Sequence, residues 1–211
     1  MPDHFDVTPT GLQELIRRAA PSGRGLPPVE NWEPDYCGAI DMRIATDGSW
    51  HYMGTPINRE ALVRLFSTVL RHDADGGFYL VTPVEKIGIT VEDAPFMAVE
   101  MHAEGTGKGQ TLTFRTNVGD VVVTGAEHPI RFALEADTGG LKPYIHVRGR
   151  LEAKLARPLL YELAELAVER EDETGEIRFG VWSGGSFFAM DGHETDGLAM
   201  DHGATGDDRD Q

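Results

Sequence analysis

Hydrophobic and polar positions follow two different periods along the chain, and each switch of period marks an element. Ile40, Met42 and Ile44 alternate with Asp41, Arg43 and Ala45, which predicts a half-buried strand. Asp47-Gly48 supplies a hairpin turn, and Trp50-His51-Tyr52-Met53 the return strand. The period then lengthens. Leu62, Leu65, Phe66, Val69 and Leu70 share one face at helical spacing, so a helix is expected from Asn58, a good N-cap, to Arg71. Arg71 and His72 then occupy its last turn, where cations are favoured, and Gly76-Gly77 ends it. Phe78–Val81, the alternating Ile87, Ile89 and Val91, and the apolar run Pro95–Met101 predict three more strands, the last of them central.

The second half repeats this language. Leu112 and Phe114 alternate with threonine and arginine, Asn117-Val118-Gly119-Asp120 reads as a turn, and Val121–Val123 returns. Ile130–Leu134 and Tyr144–Gly149 are further strands. Pro158 suits the first position of a helix running to about Arg170, with Leu159, Leu160, Leu163, Leu166 and Ala167 inward. Ile177, Phe179 and Val181 alternate again, and Phe187-Phe188 closes the core. Ahead of all this, residues 1–35 form a lead-in with a short helix capped by Thr10. Behind it, residues 191–211 are rich in Asp, Gly and His and read as a disordered acidic tail.

Laid side by side, the halves match. Each has a strand ending in glycine (Gly54, Gly149), a helix, a glycine break and a strand. The glycines lie 95 apart, and the helix stripes Leu62, Val63, Phe66 and Leu159, Leu160, Leu163 lie 97 apart. This predicts an α+β fold of two similar domains, residues 36–104 and 105–190, each an antiparallel β-sheet packed on one main helix. The glycine-rich Glu104–Gln110 stretch is the expected boundary, and the interface between halves the expected place for a pocket.

Charge narrows the function classes. The net charge is −16, of which residues 191–211 carry −6. An acidic chain offers no basic stripe for nucleic acid and is repelled by anionic membrane. No apolar run is long enough to span a bilayer, and the acidic N-terminus lacks the pattern of a secretion signal. A lone cysteine, Cys37, rules out an internal disulfide and fits a cytoplasmic protein.

Candidate chemistry is sparse. His193 and His202 match no metal-ligand spacing, and His72-Asp73-Ala74-Asp75-Gly76 brings its glycine too early for a calcium loop, so no metal and no cofactor are expected. Gly105-Thr106-Gly107-Lys108-Gly109 lacks the Ser or Thr after lysine that a phosphate loop requires. Trp182-Ser183-Gly184-Gly185-Ser186 is not a nucleophile elbow, and Cys37 reads as a buried structural thiol rather than a partner of His51. No catalytic residue is assigned. The segments Thr82–Ile87 and Glu92–Phe96 place Lys86, Glu92 and Asp93 at strand ends, as surface pairing or as a polar ligand site.

The residues Trp50–Ile57, Leu80–Lys86 and Val91–Phe96, with Thr116–Asp120, Leu141–Gly149 and Leu151–Ala153, resemble a bacterial family, domain of unknown function number 1285. The resemblance runs from about Trp32 to Phe188. It implies a duplicated two-domain α+β fold whose second domain is pleckstrin-homology-like, with a nucleotide-like ligand at the interface and a signalling role. The leading reading is therefore a non-catalytic small-molecule-binding or signalling module. Its ligand would touch Tyr52, Thr55, Lys86, Glu92 and Asp93 from one side and Tyr144, His146 and Arg148 from the other. A second reading is a scaffold that docks a protein partner on sheet edges or the Asn117–Asp120 hairpin. A third is an enzyme using Glu85, Glu92, Asp93 or His146 as acid or base.

Overall fold

A computed structural model describes residues 25–191. The helix expected from Thr10 and the stretch after Asp191 lie outside the described residues. The first sheet contains β1 (Tyr36–Ile44), β2 (Trp50–Tyr52), β3 (Thr55–Pro56), β4 (Leu70–His72), β5 (Phe78–Thr82) and β6 (Glu85–Val91), with α1 (Glu60–Thr68) between β3 and β4. The second contains β7 (Phe96–Glu104), β8 (Thr111–Thr116), β9 (Val121–Val123), β10 (Ile130–Leu134), β11 (Leu141–Arg148) and β12 (Leu151–Leu155). Helix α2 (Arg157–Glu165) leads to a small third sheet of β13 (Val168–Glu171), β14 (Ile177–Ser183) and β15 (Ser186–Ala189).

The two large sheets share one strand order. The first runs β3-β2-β1-β6-β5-β4 and the second β9-β8-β7-β12-β11-β10. Each is two antiparallel meanders joined along a central parallel pair, β1 with β6 and β7 with β12. The expectation of purely antiparallel sheets is corrected at those two pairs. A parallel neighbour needs a crossover, and α1 with β4 and β5 supplies one in the first sheet. The boundary also moves. Strand β7 pairs with β8 and β12, so Phe96–Glu104 belongs to the second sheet. The change of sheet falls at residues 92–95, and the glycine-rich stretch after β7 is a hairpin within one sheet.

The helices are shorter than their apolar stripes suggest. Helix α1 stops at Thr68, and Arg71 and His72 sit on β4 instead of in a last turn. Ser67 and Thr68 turn their hydroxyls back onto the carbonyls of Arg64 and Leu65, both at 2.7 Å, which favours an end there. Leu70 then pairs with Leu80, so the apolar positions that mimicked a further helical turn begin a strand. In the second half α2 stops at Glu165, and Val168–Glu171 is strand β13. Both helices have nine residues, and they start 97 apart. The hairpin turns after them match bond for bond. Asp73 N–H donates to Gly77 O at 3.0 Å and Gly76 N–H to Asp73 O at 3.1 Å; Asp172 N–H donates to Glu176 O at 2.9 Å and Gly175 N–H to Asp172 O at 3.1 Å. Gly76 and Gly175 both take positive φ, +80° and +84°. The two likenesses follow different registers: sheet order matches β4, β5 and β6 with β10, β11 and β12, whereas the helix and its hairpin match β4 and β5 with β13 and β14. One apolar core, containing Trp50, Phe66, Phe96, Phe114 and Ile145, runs through both halves.

Candidate functional site

The segment that joins the sheets, Glu92-Asp93-Ala94-Pro95, is pinned to both. Glu92 accepts from the Arg43 guanidinium and from Thr46 N–H at 3.0 Å, and these bonds hold its carboxyl below its ordinary pKa. Asp93 accepts from the Tyr144 hydroxyl at 2.7 Å and from Lys154 Nζ at 2.7 Å. Burial opposes its charge, but the two donors outweigh burial and lower its pKa. Tyr144 is buried, and burial together with the bond to Asp93 pushes its phenol up. Lys154 also donates to Thr46 O of the β1–β2 turn at 2.9 Å, so this lysine spans the seam. Farther along, Arg148 of β11 pairs with Asp120 and donates to Ser67 O of α1 at 2.7 Å.

The eight residues expected to form one site are therefore dispersed among local partners. Between the five expected on one side and the three on the other, Asp93 and Tyr144 are joined by a hydrogen bond. Tyr52 and Thr55 are paired in the β2–β3 hairpin. Lys86 pairs with Asp73 and stands 3.9 Å over the Tyr79 ring. Six residues of extended chain separate it from Glu92, roughly 20 Å, too far for one small ligand. Both ring nitrogens of His146 face carbonyl oxygens, Nδ1 that of Glu127 at 3.0 Å and Nε2 that of Gly149 at 2.7 Å. Other sequence candidates also find structural roles. Ser183 is buried; its hydroxyl donates to Thr124 O and accepts from Leu112 N–H, both at 2.8 Å, stapling the third sheet to the second. Cys37 is exposed, contrary to the expected buried thiol, because it lies on the outer part of β1 and donates to Asp35 O. Arg43, not Cys37, opposes His51 across the β1–β2 ladder.

Two hollows among the described residues combine side chains from both halves. One, about 370 Å³, holds Arg71, His72, Asp73 and Glu30 against Arg150 of the β11–β12 turn. Arg71 is buried and spends its guanidinium on Val29 O, Trp32 O and Asp73. Among the described residues, no group of three His, Cys, Asp or Glu side chains could hold a metal ion. The other hollow, about 180 Å³, lies between the β1–β2 turn, the start of α1 and Asn117 of the β8–β9 turn. Here the halves touch closely. Asn117 Oδ1 accepts from Met97 N–H at 3.0 Å while its amide reaches Gly48 O at 3.4 Å. Gly48 has φ +79°, and a Cβ there would meet Met97 Cγ at 2.6 Å, so a side chain fits neither the backbone nor the contact.

The wall of this smaller hollow is Trp50, Pro56, Ile57 and Val63, with polar atoms from Asn58, Arg64 and Asn117. Trp50 is 2% exposed and stacks on Phe66, ring centroids 6.2 Å apart. Its indole N–H has no hydrogen-bond partner among the described residues. Asn58 does not cap α1; Arg59 holds that position and makes no side-chain cap bond.

The family models match in two consecutive pieces that meet where the sheets change. Residues 27–94 match a domain of unknown function, the DUF1285 N-terminal domain, and residues 95–190 match the DUF1285 C-terminal domain. The chain is 50% identical to a DUF1285 family protein from Silicibacter pomeroyi, with a TM-score of 0.78 over 85% of this chain and 93% of that one. The chain belongs to the DUF1285 family. A DUF1285 protein from Shewanella baltica is 27% identical over 59% of this chain and 90% of its own, with a TM-score of 0.46. No curated protein matches. Of the eight expected site residues, none lines the seam hollow of this DUF1285 protein. Trp50, Arg64 and Asn117 do, and they were missed because a tryptophan in a strand and an Asn-x-Gly turn both read as structure. The usable signal was Trp50 itself, since a buried indole requires an acceptor for its N–H.

Proposed function

We propose that this DUF1285 protein is a non-catalytic binding module whose two halves hold a small ligand between them. The observation that carries the reading is the seam hollow, built by the first half and closed by Asn117 of the second. A concave, mainly apolar wall with a few polar groups is the usual form of a ligand site. The hollow is smaller than the roughly 300–1,000 Å³ of drug-sized sites, so it suits an occupant smaller than the nucleotide-like ligand the sequence resemblance implies. A signalling role and the pleckstrin-homology likeness of the second half are the finer parts of this proposal. The signalling role requires that ligand binding alter a partner's affinity. A thermal-shift panel of small metabolites and mononucleotides tests the reading. The expected result is dose-dependent stabilisation that disappears in Val63→Phe, which fills the hollow. Stabilisation that survives Val63→Phe, or none from any compound, would overturn it.

One observation favours the scaffold reading as a second function. Strand β9 is a sheet edge, and its Val121 and Val123 are exposed. Exposed apolar edges invite strand addition by a partner. Replacing both valines with lysine should abolish any stoichiometric complex recovered from a bacterial lysate. A complex that tolerates the change removes this edge from consideration.

A further inference from the structure

We infer that the seam hollow takes a small organic anion with an apolar body, a short branched carboxylate being the simplest example. The inference rests on the binding reading above and gives that site its ligand class. Trp50 lines the hollow and is 98% buried, yet its indole N–H has no partner among the described residues. Buried donors in folded proteins are nearly always paired, so this one calls for an acceptor from a bound molecule. Helix α1 opens at the same place, with Ile57, Asn58 and Glu60 on the wall. Its N-cap makes no side-chain bond, and although Leu62 N–H donates to Arg59 O at 2.9 Å, the N–H groups of Glu60 and Ala61 precede the first bond of the helix. Those groups and the helix dipole favour a negative ligand.

Arg64 adds a full positive charge one turn along. Its salt bridge is to Glu60 at 3.8 Å, with both side chains largely exposed. Such a pair contributes little and is readily exchanged for a better acceptor. The remaining wall, Pro56, Ile57 and Val63, is apolar. One acceptor group on a short aliphatic body satisfies both parts of the hollow. A nucleotide's bulk exceeds about 180 Å³, and bare phosphate leaves the apolar wall unmatched.

Calorimetric titration of the full chain with isocaproate, its uncharged amide isocaproamide, and inorganic phosphate tests the class. The expected result is binding of isocaproate, with isocaproamide and phosphate each weaker by about tenfold or more. Arg64→Gln, at an exposed position that leaves folding intact, should weaken isocaproate about tenfold, and Trp50→Phe should weaken it as well. Equal binding of acid and amide, both lost in Val63→Phe, would overturn the anion class while leaving the hollow as a ligand site. Phosphate binding as tightly as isocaproate would overturn the apolar-body requirement. No heat from isocaproate at about 10 mM would overturn the inference, and the metabolite panel then decides the broader reading separately.

Discussion

Two stretches of the seam between the sheets are built on opposite plans. Around Asp93 the polar side chains are matched. Tyr144 and Lys154 each donate to one carboxylate oxygen, and Lys154 reaches Thr46 O as well. Around Trp50 a more deeply buried donor has no partner among the described residues, beside a hollow. Satisfied buried polar groups hold a structure in one arrangement, whereas a leftover donor marks where something else can bind. The Asp93 end thus reads as a strut and the Trp50 end as a site. The sequence placed its ligand among eight residues that include Asp93, because charged strand ends resemble a site until their partners are known.

The comparison breaks first if the strut carries no load. Lys154→Met leaves the buried Asp93 carboxylate with Tyr144 alone. The Lys154 and Asp93 side chains are 17% and 15% exposed, and removing one partner from such a pair costs about 3 kcal/mol or more. Urea denaturation should show that loss. A change below about 1 kcal/mol would mean the pair only decorates the seam. Arg148→Met comes next. It removes the bond to Ser67 O and leaves Asp120 unpaired, for an expected loss of about 2 kcal/mol in the same assay.

Acid should act at the same end. The folded pKa of Asp93 lies below its unfolded value near 3.8, so its contribution is complete above that value and drains as pH falls through the folded pKa. The melting temperature of the wild type should therefore drop more steeply below about pH 4 than that of Asp93→Asn. Parallel curves would show that Asp93 does not carry acid sensitivity. Tyr144 works at the other extreme. Its phenol is raised, so its bond persists through neutral pH and is lost only in strong alkali.

Much of the fold was legible because local patterns repeat. The β1 alternation of Ile40, Met42 and Ile44, the Asp47-Gly48 turn and the 97-residue helix offset all survive in the structure. What was not legible depends on distant pairing. Val69 and Leu70 fit a helical stripe, yet Leu80 draws Leu70 into a ladder. Nothing local says that β7 prefers β12 to the first sheet, so the boundary was set about ten residues late. The two meanders make the point again. The one after α1 joins the first sheet through β6 and β1, whereas the one after α2 forms a separate three-stranded sheet and leaves Ile177 and Phe179 exposed. The site was hidden for a similar reason. Trp50 and Asn117 lie 67 residues apart, and only the seam brings them to one hollow.

The smallest expected effect on stability is the one that separates the two ends most cleanly. Trp50→Phe keeps an aromatic ring over Phe66, its stacking partner. It deletes a buried indole N–H whose lack of an acceptor costs about 1–3 kcal/mol. Against that gain stands lost packing, since shrinking a buried side chain typically costs about 1–2 kcal/mol when the substitution is conservative. The two effects oppose each other, and the variant should lie within about 1 kcal/mol of wild type in urea denaturation. Isocaproate binding should weaken in the same protein. Stability kept with binding lost is what a site predicts, and Lys154→Met should give the reverse, a large loss of stability with the hollow's groups untouched. If Trp50→Phe instead costs about 3 kcal/mol or more, the indole donor is serving the core, and the seam has two struts rather than a strut and a site.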